Sequence, residues 1–169
     1  MNLFLDASTL VKRYHREKGT EEIDIIFRDA SANVWISQSS TVEIASALSK
    51  KVRDGDIDDK SKRIAITAFL RDYKKGRFKV IFLDKEIIRK ATGFLVQRGS
   101  QIPLKALDAI QLECALRVSR EKTLDVIVVS DNKFKASIKS IGGIEVFDPE
   151  LDKWDNVKQR LAKRIKSPK

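Results

Sequence analysis

The sequence is poor in the residues that support redox and zinc chemistry. Cys114 is the one cysteine in 169 residues, which excludes an internal disulfide and points to a reducing, cytoplasmic setting. With His15 the one histidine, there is no Cys/His set for zinc and no mechanism that needs two imidazoles. The neighbours Lys12, Arg13 and Arg16 suggest that His15 lies on a solvated helix face. No run approaches the ~18–20 apolar residues of a membrane span, and the start Met1-Asn2-Leu3-Phe4-Leu5-Asp6 lacks the basic region of a signal peptide. With three prolines and seven glycines there is no Pro/Gly-rich linker, and we find no internal repeat.

What is present fits one α/β domain with a core of its own. The apolar fraction of 42% excludes disorder as the main state, and the length suits a single domain. Lys and Arg exceed Asp and Glu by ten, which draws the chain toward polyanions. About half of that excess sits in residues 152–169, where seven Lys or Arg face two Asp.

Short β-branched or aromatic runs at 2–5, 34–37, 78–83, 126–130 and 144–147 alternate with segments of helical period, the pattern of a parallel sheet covered by helices. Helices are expected over 7–15, from an N-cap at Thr20, from Ser40, from Asp56 to Lys75, from Asp84 to near Gly99, from Pro103 to Arg120 and over 131–140. Two long helices with a single short strand between them suggest an insertion in a Rossmann-like plan. Trp35 and the phenylalanines Phe78, Phe82 and Phe94 are expected in the core. Leu161 and Ile165, four apart, give a final helix one face to dock.

Among 24 acids, position singles out a few. Asp6 directly follows the first strand and Asp131 the fourth, and ligands of open parallel sheets bind outside the carboxyl ends of strands. Each could equally cap the helix that follows it. Asp108 falls within its helix, on the flank of an apolar arc of Leu104, Leu107, Cys114, Ala115 and Val118, while Glu113, Arg117 and Arg120 mark the solvated face. A carboxylate there needs a salt bridge, hydrogen bonds or a cation. Glu43 either completes a capping box with Ser40 or joins the other acids.

In series, Leu3-Phe4-Leu5-Asp6-Ala7-Ser8-Thr9, Val42-Glu43-Ile44-Ala45, Leu104-Lys105-Ala106-Leu107-Asp108-Ala109-Ile110-Gln111 and Val128-Val129-Ser130-Asp131-Asn132 resemble the PIN-domain family, in particular its VapC-type toxin ribonucleases. The spacings between the four acids are 37, 65 and 23 residues, and the resemblance runs from Met1 to about Pro149. It implies a three-layer α/β/α fold with a central parallel sheet, and a PIN-like nuclease domain over 1–150 followed by a basic, helical tail over 151–169. It implies Asp6, Glu43, Asp108 and Asp131 as the catalytic, metal-holding acids, with Ser8 supporting Asp6. It further implies an endoribonuclease using Mg²⁺ or Mn²⁺, RNA as substrate, a small VapB-like antitoxin as partner, and a homodimer.

Those residue types suit that chemistry. Phosphodiester hydrolysis needs a hydroxide-like nucleophile and stabilised phosphoryl charge, which divalent ions supply and which hard oxygen ligands hold. Without the ions, four carboxylates would repel one another and the substrate. Three other readings stay open on sequence alone. One is a non-toxin PIN-type RNA-processing nuclease, and another a non-catalytic nucleic-acid-binding module whose tail grips phosphates while Trp154 stacks on bases. The third, an aspartyl-phosphate enzyme, lacks a second acid two residues after Asp6 and any P-loop.

Overall fold

A computed structural model of the chain describes residues 1–166. Five strands, β1 (Asn2–Leu5), β2 (Asn33–Ser37), β3 (Lys79–Ile81), β4 (Val126–Val128) and β5 (Glu145–Phe147), form one sheet in the order β3-β2-β1-β4-β5, parallel throughout. The helices are α1 (Ala7–Leu10, continued by a 3₁₀ turn over Val11–Arg13), α2 (Thr20–Arg28), α3 (Ser40–Arg53), α4 (Asp59–Lys74), α5 (Lys85–Arg98), α6 (Ala106–Lys122), α7 (Asn132–Ile141) and α8 (Trp154–Lys166).

The period of two along each strand divides the core into two layers. Leu3 and Leu5 of β1 and Val126 and Val128 of β4 face Leu10, Ile23, Ile26, Ile44, Leu48 and Phe69, so α1 to α4 cover one side of the sheet. Phe4 and Ile127 point the opposite way, toward Ile87 and Ala91 of α5, Leu112 and Ala115 of α6, and Phe134 and Ile138 of α7. This is the expected three-layer α/β/α architecture. Two helices, not one, separate β2 from β3 and again β3 from β4.

Several boundaries differ from the sequence pattern for local reasons. Helix α2 is entered from Gly19 in the left-handed region, φ 88°, while the Thr20 hydroxyl accepts from the Glu17 N–H and donates to the Lys12 carbonyl instead of capping. Asp58, not Asp56, caps α4, its carboxylate accepting from the Ser61 N–H at 2.7 Å. Pro103 lies ahead of α6, because Lys105 is extended (φ −80°, ψ 166°) and the helix opens at Ala106. Asp108 therefore sits in the first turn and not in the helix interior. Glu113, expected on the solvated face, is buried and paired with Arg120, whereas Leu107 is exposed. Phe78 is buried, Trp35 and Phe94 are half-buried, and Phe82, expected inside, is exposed. Of the basic neighbours of His15, Arg16 is exposed, but Lys12 lies buried between Glu17 and Glu150, and His15 is itself half-buried.

Helix α8 joins the first layer. Trp154 is fully buried against the Phe147 ring, its backbone N–H donates to Glu22 at 2.8 Å and its indole N–H reaches Asp29 at 3.3 Å. Val157 is buried beside it and Leu161 packs on the same cluster; the side chain of Ile165 and residues 167–169 lie outside the described residues. Trp154 is thus unavailable for stacking on bases. Nor is the tail's charge wholly open, since Lys153 pairs with Glu22, Lys158 with Asp29, and Arg160 with Glu145 and Asp152. Among the described residues, no helix is long and apolar enough to cross a membrane.

Replacing a fully buried Trp by Ala typically costs about 3–5 kcal/mol, so Trp154→Ala is expected to lower the unfolding free energy by that amount in a urea titration. A loss below about 1 kcal/mol would show that α8 does not belong to the core.

Candidate active site

The parallel register determines which side chains meet at the carboxyl edge of the sheet. Leu5 pairs with Val128, and the Asp6 N–H continues the ladder by donating to the Val128 carbonyl at 3.0 Å. Asp6 is consequently held at the junction of β1 and β4, buried, with its carboxylate accepting from the Ser8 N–H at 3.0 Å. Asp131, three residues beyond β4, caps α7 by accepting from the Phe134 N–H at 2.8 Å. Both acids therefore cap helices and also stand at the carboxyl edge of the sheet, where ligands of such sheets bind. Ser8 links the two turns, because its hydroxyl also accepts from the Ser130 N–H at 3.4 Å.

Glu43 and Asp108 arrive from α3 and α6. Ser39 and not Ser40 is the N-cap of α3, and it makes no side-chain cap bond, so the expected capping box of Ser40 with Glu43 does not form. Instead Gln111 bridges the two, its amide N–H donating to Glu43 at 2.6 Å and to the Ser40 hydroxyl at 3.2 Å. Gln111 is fully buried, and its carbonyl Oε1 is without a hydrogen-bond partner. Asp108 accepts from the Lys105 N–H at 3.4 Å and has no salt bridge among the described residues.

The charges of these acids bear on one another. Burial pushes Asp6 up to about 6, the Ser8 hydrogen bonds oppose this, and the Glu43 and Asp108 carboxylates add to it. Glu43 is raised by burial, against hydrogen bonds from Ser39 and Gln111, with Asp108 pushing the same way as burial. Asp108 is raised by burial, against the Lys105 N–H, with the Asp131 charge contributing. Proximity of like charges connects all four. Among the described residues, however, no group of three or more His, Cys, Asp or Glu side chains is gathered tightly enough to hold a metal ion as the side chains stand.

Sequence reasoning missed Gln111, although it lies one turn beyond Asp108 in the run Asp108-Ala109-Ile110-Gln111. A glutamine gives no charge to notice. It also missed Asp148, which directly follows β5 and meets the same strand-end criterion that singled out Asp6.

The family model described as PIN domain matches residues 3–137 of the chain. No curated protein matches the sequence significantly. Among solved structures, the Mycobacterium tuberculosis toxin VapC20, described as cleaving the sarcin–ricin loop, is 16% identical with a TM-score of 0.59, covering 79% of this chain and 93% of its own. PAE2754 from Pyrobaculum aerophilum is 20% identical with a TM-score of 0.59, covering 96% and 90%. The DNA-bound VapBC of Salmonella typhimurium is 18% identical with a TM-score of 0.56, covering 88% and 98%. At these identities the likeness is one of fold.

The position of Asp6 has a cost that can be measured. Its folded value of about 6 lies above the ordinary 3.8, so the fold binds this proton more tightly than the unfolded chain does. Stability from this group is full below pH 3.8 and declines as pH rises to about 6. Holding Asp6 ionised at neutral pH then costs on the order of 3 kcal/mol. Asp6→Asn, which can still cap α1, is expected to raise the melting temperature by several degrees at pH 7 in chelator and to give no gain at pH 4. Equal melting temperatures at pH 7 would contradict the buried, ionised Asp6.

Proposed function

The chain belongs to the PIN-domain family, and from that premise we propose that it is a divalent-metal-dependent endoribonuclease, hydrolysing RNA phosphodiester bonds as the toxin of a toxin–antitoxin pair. The observation that carries this reading is Asp6, a carboxylate buried at the carboxyl edge of the sheet among Glu43 and Asp108 and held there at an energetic loss. A fold retains such an arrangement where something other than the apo structure compensates for it.

The donor chemistry fits Mg²⁺ or Mn²⁺, since all four candidates are hard carboxylate oxygens. Mg²⁺ usually takes one or two protein carboxylates and keeps several waters, so the absence of a tight trio among the described residues does not conflict with it. When bound, the ion supplies a lowered pKa for its water and stabilisation of charge on the phosphoryl and leaving oxygens. Asp6 and Asp108 would hold it, with Glu43 and Asp131 completing the site directly or through water. Ser8 fixes the Asp6 carboxylate, and Gln111 fixes Glu43. Lys105 and Lys133, exposed beside Asp108 and Asp131 in the chain, take part in none of the ion pairs among the described residues and suit contacts to the RNA backbone.

Residues 1–150 would then carry the nuclease site, while the helix that follows contributes chiefly to stability. The Salmonella complex pairs a VapC with its VapB, which supports a small VapB-like antitoxin as partner here, with a cytoplasmic setting and a homodimer following from the same family reading.

Purified protein should cleave mixed RNAs with Mg²⁺ or Mn²⁺ and lose activity in chelator. Asp6→Asn and Asp108→Asn should each reduce turnover by more than the roughly 10–100-fold typical of losing an outer-shell partner of a metal. Cleavage that survives both variants and the chelator would refute the metal mechanism. Growth arrest on expression, relieved by the product of a short neighbouring reading frame, separates a toxin from an RNA-processing nuclease of the same family.

A further inference from the structure

The segment that leaves β5 reaches back across the turns that carry the candidate acids. Asp148, the first residue after β5, is half-buried, with its side chain 9% exposed, and each of its carboxylate oxygens is engaged. Oδ1 accepts from the Ser130 hydroxyl at 3.2 Å and from the Glu150 N–H at 2.9 Å, and Oδ2 accepts from the Lys135 ammonium, itself almost wholly buried. Ser130 is the residue before Asp131, and Lys135 lies one helical turn after it, its N–H donating to the Asp131 carbonyl at 2.9 Å. Asp148 therefore grips the chain on both sides of Asp131.

The grip continues toward Asp6. The Ser130 N–H donates to the Ser8 hydroxyl, and the Ser8 N–H donates to the Asp6 carboxylate. Two residues after Asp148, Glu150 takes the buried ammonium of Lys12, in the 3₁₀ turn that continues α1. Pro149 between them packs so close to Gly19 that a Cβ there would stand 3.0 Å from the Pro149 carbonyl carbon. A strap of three residues thus holds both acid-bearing turns, and it lies outside the residues that match the family model.

We propose that Asp148 is a positioning residue for Asp131, fixing the β4–α7 turn so that the Asp131 and Asp6 carboxylates face one cation. Its own pairing with Lys135 sets it apart from the four acids, which have no lysine or arginine partner among the described ion pairs. A carboxylate held by an ammonium, a hydroxyl and a backbone N–H is rigid, and rigidity in the supporting shell is what holds a site to its working geometry. The proposal rests on the reading of Asp131 as part of the metal site.

The test measures Mn²⁺ binding by electron paramagnetic resonance and RNA cleavage on the same preparations, with melting temperature recorded for each. Asp148→Asn is expected to weaken Mn²⁺ binding and lower kcat by roughly 10–100-fold while KM for RNA stays near that of the native chain. Ser130→Ala, which removes one hydroxyl and leaves the ion pair intact, is expected to shift both in the same direction by less, and it decides the matter alone should Asp148→Asn fail to fold. Unchanged Mn²⁺ affinity and kcat in the folded variants, with only a lowered melting temperature, would overturn the proposal and leave Asp148 a fold-stabilising residue. A native chain that neither binds Mn²⁺ nor needs Asp6 and Asp108 for cleavage would instead refute the metal-site reading, and the Asp148 proposal with it.

Discussion

The parallel pairing of β1 with β4 governs the molecule, because it brings the two chain segments that leave those strands to one point. With Leu5 opposite Val128 and the Asp6 N–H bonded to the Val128 carbonyl, Asp6 has no freedom to turn toward solvent. Everything nearby responds to that placement. Ser8 folds back on the carboxylate, α6 enters beneath with Asp108 in its first turn, and Gln111 turns Glu43 toward its own amide. A one-residue slip of β1 would invert its faces and move Asp6 away from that edge.

This arrangement costs the fold stability. Water would solvate Asp6 better than this pocket does, and neighbouring carboxylates make the deficit larger. Elsewhere the fold treats buried charge differently: Lys12 has Glu17 and Glu150, Lys135 has Asp148, and Glu22 has Lys153 with the Trp154 N–H. Pairing is the rule inside this protein, and Asp6, buried with no cationic partner among the described residues, is the exception. That contrast marks it more clearly than burial alone could.

Much of this was legible in the residues themselves. The unbroken apolar runs Leu3-Phe4-Leu5 and Val126-Ile127-Val128 are enough to place both strands in a sheet covered on two sides, and an acid directly after a strand is visible by eye. Helix phase misled where burial was not one-sided: α6 is buried on most of its circumference, so Glu113 could pair inside and Leu107 could be left out. Glu43 was undecidable because Ser40 and Glu43 match a local capping pattern, and the outcome depended on Gln111, 68 residues away. The role of Asp148 likewise depends on Lys135 and Ser130, contacts that no pattern within its own segment announces.

Trp154 closes the same apolar layer that Leu3 and Leu5 open, although about 150 residues of chain lie between them. A ribosome adds roughly 5–20 residues each second, so β1 waits on the order of 10 s for the indole that completes its cover. During that interval Glu22 has no N–H from Trp154 to bind, and Phe147, which precedes the indole by only seven residues, is missing from the layer for almost as long. The nascent chain can assemble its first strand pairs early, yet this half of its interior stays open until the last helix has emerged.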